Sequence, residues 1–238
     1  MTSSSPSSQA KAAISPRAAS LPSSRTPLTC GTTRGADVSG SNQPSERRAI
    51  LRSFAANNLE VTNAFYTHPK ILVTALNGPV IGLSAALIAF SDFIYATPST
   101  FLLTPFTSLG LVSEGATSFS LVQRLGISRA NEALIMSKRL TSSELLAAGF
   151  VNKVFDDVRD GEDEKFLGLV WKEVEDRLGE HLNQDSLIKV KELIRKPYRE
   201  VLDRQNAEEI LAGVERFVKG EPQKEFSRIA RGEKRHKL

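Results

Sequence analysis

The apolar positions between residues 71 and 115 predict the centre of the fold. Residues 71–76 form a short apolar run with β-branched members, which predicts a buried strand. The turn residues 77–79 (Asn-Gly-Pro) interrupt this pattern, and the small and aliphatic residues 83–90 then predict a buried helix. Two further apolar runs predict strands over residues 92–97 and 101–104.

Helical spacing of apolar side chains dominates the rest of the chain and predicts an α/β protein with a helical C-terminal region. Thr141 and Glu144 have the spacing of a capping box, so a helix is expected to begin there. The predicted helices outside the central stretch cover residues 45–66, 116–125, 129–136, 141–148, 165–182, 186–194 and 201–218. Residues 151–155 predict one more strand.

Residues 1–34 differ from the rest in composition. Serine, proline and alanine dominate them, and large apolar side chains are almost absent. Such a segment buries too little surface to offset its ordering entropy, so a disordered tail is predicted. Basic residues without acidic ones resemble an organelle transit peptide, although the prolines argue against the amphipathic helix that such a peptide forms.

Composition excludes several classes of protein. The chain has 40% hydrophobic and 24% charged residues, a net charge of +4 and no apolar run long enough to span a membrane. Cys30 is its single cysteine, so an intrachain disulfide and a multi-cysteine metal site are excluded. Basic residues gather near the C-terminus, where a solvated helix face is favoured over a nucleic-acid stripe; a basic surface also suits a ligand that carries phosphates.

Glu114 is the candidate chemical group of the central stretch. It is the only charged residue between Asp92 and Arg124. A carboxyl group buried in such apolar surroundings has a raised pKa, as a general base at neutral pH requires. The alternative is that Glu114 only stabilises the start of the next helix through its dipole. The strand, turn and helix over residues 71–90 also direct free backbone N–H groups to one point, which suits an oxyanion.

Four segments together resemble the enoyl-CoA hydratase/isomerase (crotonase) superfamily, and most closely its fungal peroxisomal Δ3,Δ2-enoyl-CoA isomerases. They are NGPVIGLSAALIAFSD (77–92), TPFTSLGLVSEGATS (104–118), the Gly-Ala-Asp of 35–37 and the last three residues. The resemblance implies a crotonase-like (ClpP/crotonase) spiral of ββα units over 35–160 and a helical region over 161–235. Nothing before residue 35 matches the first strands of that fold, so an N-terminally atypical or truncated member is expected.

The resemblance also implies a mechanism for each of the matching positions. Glu114 is expected to be the catalytic base, and the backbone N–H groups of Ala36 and Leu83 are expected to form an oxyanion hole. Asn58, Phe106 and Gly82 are expected at the substrate. The reaction that this implies moves the double bond of a 3-enoyl-CoA to C2 in fatty-acid β-oxidation. It requires no metal and no cofactor beyond the coenzyme A of the substrate.

The family's hydratases use two glutamates to hold and split a water molecule. Alignment of the two central motifs places Ala86 and Phe106 at those positions, and neither side chain can take up or donate a proton. This favours an isomerase. Three alternatives stay open: an enoyl-CoA hydratase, a dienoyl-CoA isomerase, or a truncated inactive member that binds acyl-CoA or joins an oligomer.

The expected partners follow from the same resemblance. They are an acyl-CoA substrate and further copies of the chain in a trimer or hexamer; no nucleic acid and no membrane span is expected. His236-Lys237-Leu238 is a variant of the Ser-Lys-Leu address, so a peroxisomal location and recognition by an import receptor are predicted.

Overall fold

The structure, a computed structural model, describes residues 13–14 and 43–235. Its helices are α1 (Gln43–Ile50), α2 (Ala56–Tyr66), α3 (Leu83–Ile88), α4 (Thr117–Leu134), α5 (Ser142–Ala147), α6 (Asp163–Leu178), α7 (Gln184–Arg195), α8 (Arg199–Val218) and α9 (Glu221–Ala230). Its strands are β1 (Ala13–Ile14), β2 (Leu72–Leu76), β3 (Val80–Ile81), β4 (Phe93–Ala96), β5 (Phe101–Leu103), β6 (Leu140–Thr141) and β7 (Lys153–Val154). A π-helical turn (Leu51–Ala55) joins α1 to α2.

The strands within the described ranges form two sheets. One has the order β1-β2-β4-β7 with all neighbours parallel, and β2 pairs with β4 from Val73–Phe93 to Leu76–Ala96. The other has the order β3-β5-β6, with β3 parallel and β6 antiparallel to β5. Parallel neighbours need crossover connections, and the segment that contains α3 supplies the one between β2 and β4.

The first sheet is buried on both faces, and this explains why its strands are continuous apolar runs. Side chains alternate along β4: Ile94 and Ala96 join the core that contains α4 and α5, whereas Tyr95 packs with α6 on the other face. The α6 side of that second core contains Phe166 and Val170, which are 2% and 0% exposed. The sheet thus lies between two layers of helices.

Arg124 fixes α4 against the ends of its neighbours. Its guanidinium donates to the carbonyl oxygens of Ala89 and Ser91 at 3.1 and 2.6 Å and to that of Phe150 at 3.0 Å. Burial lowers the pKa of Arg124 to about 10, and the charge of Arg195 acts in the same direction. This partly buried cation therefore donates to carbonyl groups at or after the ends of α3 and α5.

Most predicted elements are confirmed, with shifted ends. The strands predicted over 71–76, 92–97 and 101–104 correspond to β2, β4 and β5, and the capping box at Thr141 is present. The helices predicted over 116–125 and 129–136 form the single element α4, which is interrupted by Gly126 at φ 73° and ψ 157°. The strand predicted over 151–155 is reduced to β7. Sequence periodicity missed β3, β6 and α9; the two strands are only two residues long.

One short element lies within the N-terminal segment, whose predicted disorder stays a prediction. Ala13–Ile14 is a two-residue strand that pairs in parallel with Leu72 and Val73. Two residues carry no readable period, which is why the composition of the segment concealed them. The remainder of the prediction for 1–34 falls on residues outside the described ranges.

None of the helices over the residues that the structure describes is both long enough and apolar enough to cross a bilayer.

A glycine sets the distance between α3 and α4. Gly115 has φ +73°, and a Cβ atom added there would lie 2.6 Å from the Cβ of Ala86 and 3.2 Å from Cδ1 of Leu83. Both the backbone conformation and the close approach therefore require glycine. Gly149 has a similar φ of +75°, but a Cβ atom there would have no neighbour within 4 Å.

These two glycines form a matched pair for a stability test. We expect Gly149→Ala to lower the free energy of unfolding by about 1 kcal/mol, since only backbone strain is added. Gly115→Ala should lower it by about 2 kcal/mol more, because the added methyl group overpacks the α3–α4 contact. Urea unfolding of both variants measures the difference. Equal losses would contradict the close approach of the two helices.

Candidate active site

Helix α2 presents one buried polar stripe to the site. Asn58, Thr62 and Tyr66 recur every four residues and are buried at 6%, 0% and 7% exposure. This spacing places their side chains on one face of the helix. Asn58 therefore points into the protein, whereas its neighbour Asn57 is exposed.

Glu114 lies in the turn before α4. The backbone of this turn is left-handed at Gly115 and at Ala116, where φ is 56°. The hydroxyl of Thr117 donates to the carbonyl oxygen of Glu114 at 3.0 Å. The turn thus leads the chain into the helix while the Glu114 side chain points back towards α2.

The structure brings Asn58 and Glu114 together, although they are 56 positions apart in sequence. The Asn58 amide donates to Oε2 of Glu114 at 2.9 Å. Burial raises the pKa of Glu114 from 4.5 to about 7; the hydrogen bond from Asn58 lowers it, and the nearby negative charge of Glu209 raises it. Glu114 is therefore a carboxyl group that exchanges a proton near neutral pH, held in position by an uncharged donor.

The first turn of α3 faces the same region. Gly82 precedes α3 at φ 64° and ψ −131°, a conformation that favours glycine, and its N–H donates to the carbonyl oxygen of Leu103 at 2.8 Å. The N–H of Leu83 is the first of the helix and makes no hydrogen bond within the described residues. It is thus free to donate to a bound oxyanion. Ala36, the other predicted donor, lies outside the described residues, as does the rest of 35–37.

The two positions at which the motif alignment expects the glutamates of a hydratase carry buried apolar side chains. Ala86 is 0% exposed and lies against Gly115, and Phe106 is 2% exposed. Neither residue can hold a water molecule through a carboxylate. The predicted substrate contacts of Asn58, Phe106 and Gly82 stay predictions.

Glu209 is the residue of this region that the sequence did not indicate. It lies on α8, is 6% exposed, and accepts the N–H of Ser118 at 2.7 Å. In the sequence it is one of many charged residues on an amphipathic helix, and no motif distinguishes it from Glu208 beside it. Only the packing of α8 on α4 reveals that it is buried.

A separate cavity of about 450 Å³ lies between β4, α4 and α7. Asp92 occupies its polar end, where it pairs with Lys191 at 2.7 Å and Arg195 at 2.9 Å. Asn58, Leu83 and Glu114 do not line this cavity. Over the described part of the chain, no group of three or more His, Cys, Asp or Glu side chains is arranged to hold a metal ion.

Comparisons with known proteins identify the family of the chain. The family model described as enoyl-CoA hydratase/isomerase matches residues 33–222. A Delta(3,5)-Delta(2,4)-dienoyl-CoA isomerase of Pyricularia oryzae is 61% identical over 208 residues, which cover 87% of this chain and 74% of that protein. A 3,2-trans-enoyl-CoA isomerase of Saccharomyces cerevisiae is 33% identical over 196 residues, which cover 82% and 69%.

A solved structure of an enoyl-CoA hydratase/isomerase has a similar fold. The enoyl-CoA hydratase/isomerase from Pseudoalteromonas atlantica superposes with a TM-score of 0.67 and 27% identity, over 74% of this chain and 68% of that one. The chain therefore belongs to the enoyl-CoA hydratase/isomerase family and has the crotonase fold. This confirms the family resemblance seen in the motifs.

The Asn58–Glu114 pair predicts an unusual titration. We expect the Glu114 carboxyl group to titrate near pH 7 in wild type. Asn58→Ala should raise its pKa by about one unit, because the variant loses a hydrogen bond that favours the ionised form. ¹³C NMR of labelled glutamate carboxyl groups measures both values, with Glu114→Gln to assign the signal.

Asn57→Ala is the matched control, since Asn57 is exposed on the same helix. It should leave the titration of Glu114 unchanged. A Glu114 signal that titrates near pH 4.5 in wild type would show that the carboxyl group is solvated.

Proposed function

We propose that the protein is an enoyl-CoA isomerase that moves a carbon–carbon double bond of an acyl-CoA thioester, with Glu114 as its single base. The observation that carries this proposal is the Glu114 carboxyl group. It is partly buried, accepts a hydrogen bond from Asn58 and has a pKa raised to about 7. Membership of the enoyl-CoA hydratase/isomerase family supports the substrate class.

The proposed reaction starts with a 3-enoyl thioester, whose C2 protons are weakly acidic. The Glu114 carboxylate removes one C2 proton, and the electron pair delocalises over C2 to C4 and the thioester oxygen. The N–H of Leu83 donates to that oxygen, and Ala36 is proposed as the second donor; loss of one such donor costs about 10²–10³ in rate. Glu114 then returns the proton to C4, so the double bond lies between C2 and C3 and the base is regenerated.

The choice of a 3-enoyl substrate rests on the reach of one base. C2 and C4 are close enough for a single carboxyl group to serve both. Conversion of a 3,5-dienoyl to a 2,4-dienoyl thioester instead moves a proton from C2 to C6, a longer transfer. Ala86 and Phe106 argue against hydration, because they remove both carboxylates that would hold the water.

A specific observation favours a second candidate. The Pyricularia oryzae protein that is 61% identical to this chain is named for the 3,5-dienoyl reaction. Both reactions begin with removal of a C2 proton and share the same need for Glu114 and the oxyanion donors. The two candidate reactions differ in their substrate and in the carbon to which the proton returns, which is C4 for the 3-enoyl thioester and C6 for the 3,5-dienoyl thioester.

The assay compares trans-3-hexenoyl-CoA with 3,5-octadienoyl-CoA and follows the absorbance of the conjugated product. We expect faster turnover of the 3-enoyl substrate, with kcat/KM rising with pH through about 7 because the base must be ionised. Glu114→Gln should reduce kcat by about 10²–10⁴, since general base catalysis is lost.

Glu175→Gln, a change of an exposed glutamate, is the control and should retain full activity. Faster turnover of the dienoyl substrate would establish the second candidate instead. If wild type and Glu114→Gln are equally inert towards both substrates, the isomerase proposal is wrong and an acyl-CoA-binding role takes its place.

Assembly and location are further proposals. Helix α7 exposes Val190, Leu193 and Ile194 at 54%, 71% and 60%, an apolar face that supports association with further copies of the chain. His236-Lys237-Leu238, which lies outside the described residues, supports peroxisomal import. Sedimentation velocity distinguishes a monomer from the expected trimer or hexamer, and a fluorescent fusion with and without the last three residues tests import.

A further inference from the structure

Helix α4 begins at Thr117, shortly after Glu114, and its N-cap residue provides no side-chain cap. Its N-cap residue Ala116 has a left-handed backbone and no side chain that could accept a hydrogen bond. The first N–H groups of a helix need acceptors from elsewhere when no local cap is present. Here the acceptor comes from α8, because Oε1 of Glu209 accepts the N–H of Ser118 at 2.7 Å.

Glu209 is an unusual cap because it is buried. Its side chain is shielded at 6% exposure, and Oε2 accepts no hydrogen bond from a described residue. Burial raises the pKa of Glu209, and the Ser118 side chain and backbone N–H groups of residues 116–118 counteract that effect by favouring the ionised form. An uncharged glutamine would fill the same space and cap the helix, so capping alone does not explain a carboxylate here.

Helix α8 contacts both elements that carry the Asn58–Glu114 pair. Glu209 holds the start of α4, where Thr117 in turn donates to the carbonyl oxygen of Glu114. On the same helix, the Asn206 amide donates to the carbonyl oxygen of Leu59, the residue after Asn58, at 3.2 Å. The spacing between the acid and its donor therefore depends on where α8 lies.

The charge of Glu209 also acts on the base. Its negative charge raises the pKa of Glu114, whereas Asn58 from α2 lowers it. Arg216, a cation further along α8, donates its Nε–H to the carbonyl oxygen of Gly110 at 2.9 Å in the same loop. Glu209 is thus the charged side chain that acts electrostatically on Glu114 among the described residues.

We propose that Glu209 is a positioning residue for Glu114: from α8 it holds the start of α4, and its carboxylate acts on the base from there. This inference rests on the proposed function, because it assigns Glu209 a role in the same proton transfer. It predicts that the cap and the charge can be separated by substitution. Glu209→Gln keeps an oxygen for the N–H of Ser118 and removes the charge, whereas Glu209→Leu removes both.

The experiment combines two readouts. Labelled-carboxyl NMR measures the titration of Glu114 directly, and the pH profile of kcat/KM measures it through turnover. We expect Glu209→Gln to shift both midpoints down by about half a pH unit, because one neighbouring negative charge is removed. Glu209→Leu should lose at least about tenfold in kcat at pH 8, because an unsatisfied N–H releases the start of α4. Glu208→Gln, an exposed neighbour, should shift neither midpoint.

The outcomes separate the two proposals. Unchanged Glu114 titration in Glu209→Gln overturns the electrostatic role, whatever the activity. A shifted NMR titration in a protein that turns over neither substrate supports the positioning role and overturns the proposed function. Thermal unfolding shows whether Glu209→Leu folds; if it does not, Glu209→Gln still decides the question, because it keeps the capping oxygen.

Discussion

Keeping one carboxyl group largely out of water is the constraint that organises this protein. Desolvation of Glu114 raises its affinity for a proton, and the structure limits that effect with one neutral donor, Asn58. A cation at the position of Asn58 would favour permanent ionisation and a lower pKa. An apolar side chain there would leave the ionised form without a donor. With Asn58 as its neutral donor, the Glu114 carboxyl group is able both to take up and to return a proton.

Precise placement of this pair requires four helices and one close contact. Gly115 lets the turn after Glu114 approach α3, so the acid and the N–H of Leu83 belong to touching segments. Asn58 comes from α2, and α8 contacts both α2 and the start of α4. The parallel sheet beneath fixes α3 through β2 and β4, which precede and follow it. The placement of Asn58, Glu114 and the N–H of Leu83 thus depends on elements spread across most of the described chain.

One fold can serve several chemistries, and the family model that matches this chain is described as hydratase/isomerase. Ala86 and Phe106, which the motif alignment placed at the positions of the hydratase glutamates, are buried apolar residues. Their burial means that the region around Glu114 contains neither of the two carboxylates that would hold water. In the proposed function one base does all the proton transfer, so the placement and the proton affinity of Glu114 become the central physical variables of the site.

The sequence by itself determined the class of fold, most element positions and the candidate for the base. Periodicity predicted β2, β4 and the amphipathic helices because a two-sided sheet and a half-buried helix leave clear apolar patterns. The isolation of Glu114 among apolar residues made it a candidate for a raised pKa on the condition of burial, and left open the alternative that it only stabilises the start of a helix. Two-residue strands such as β1, β3 and β6 left no pattern, since so short a segment has no readable period. Only the tertiary structure decided that Asn58 donates to Glu114 and that Glu209 is buried while Glu208 is not. Those facts depend on how distant helices pack, and no local spacing in the chain records that packing.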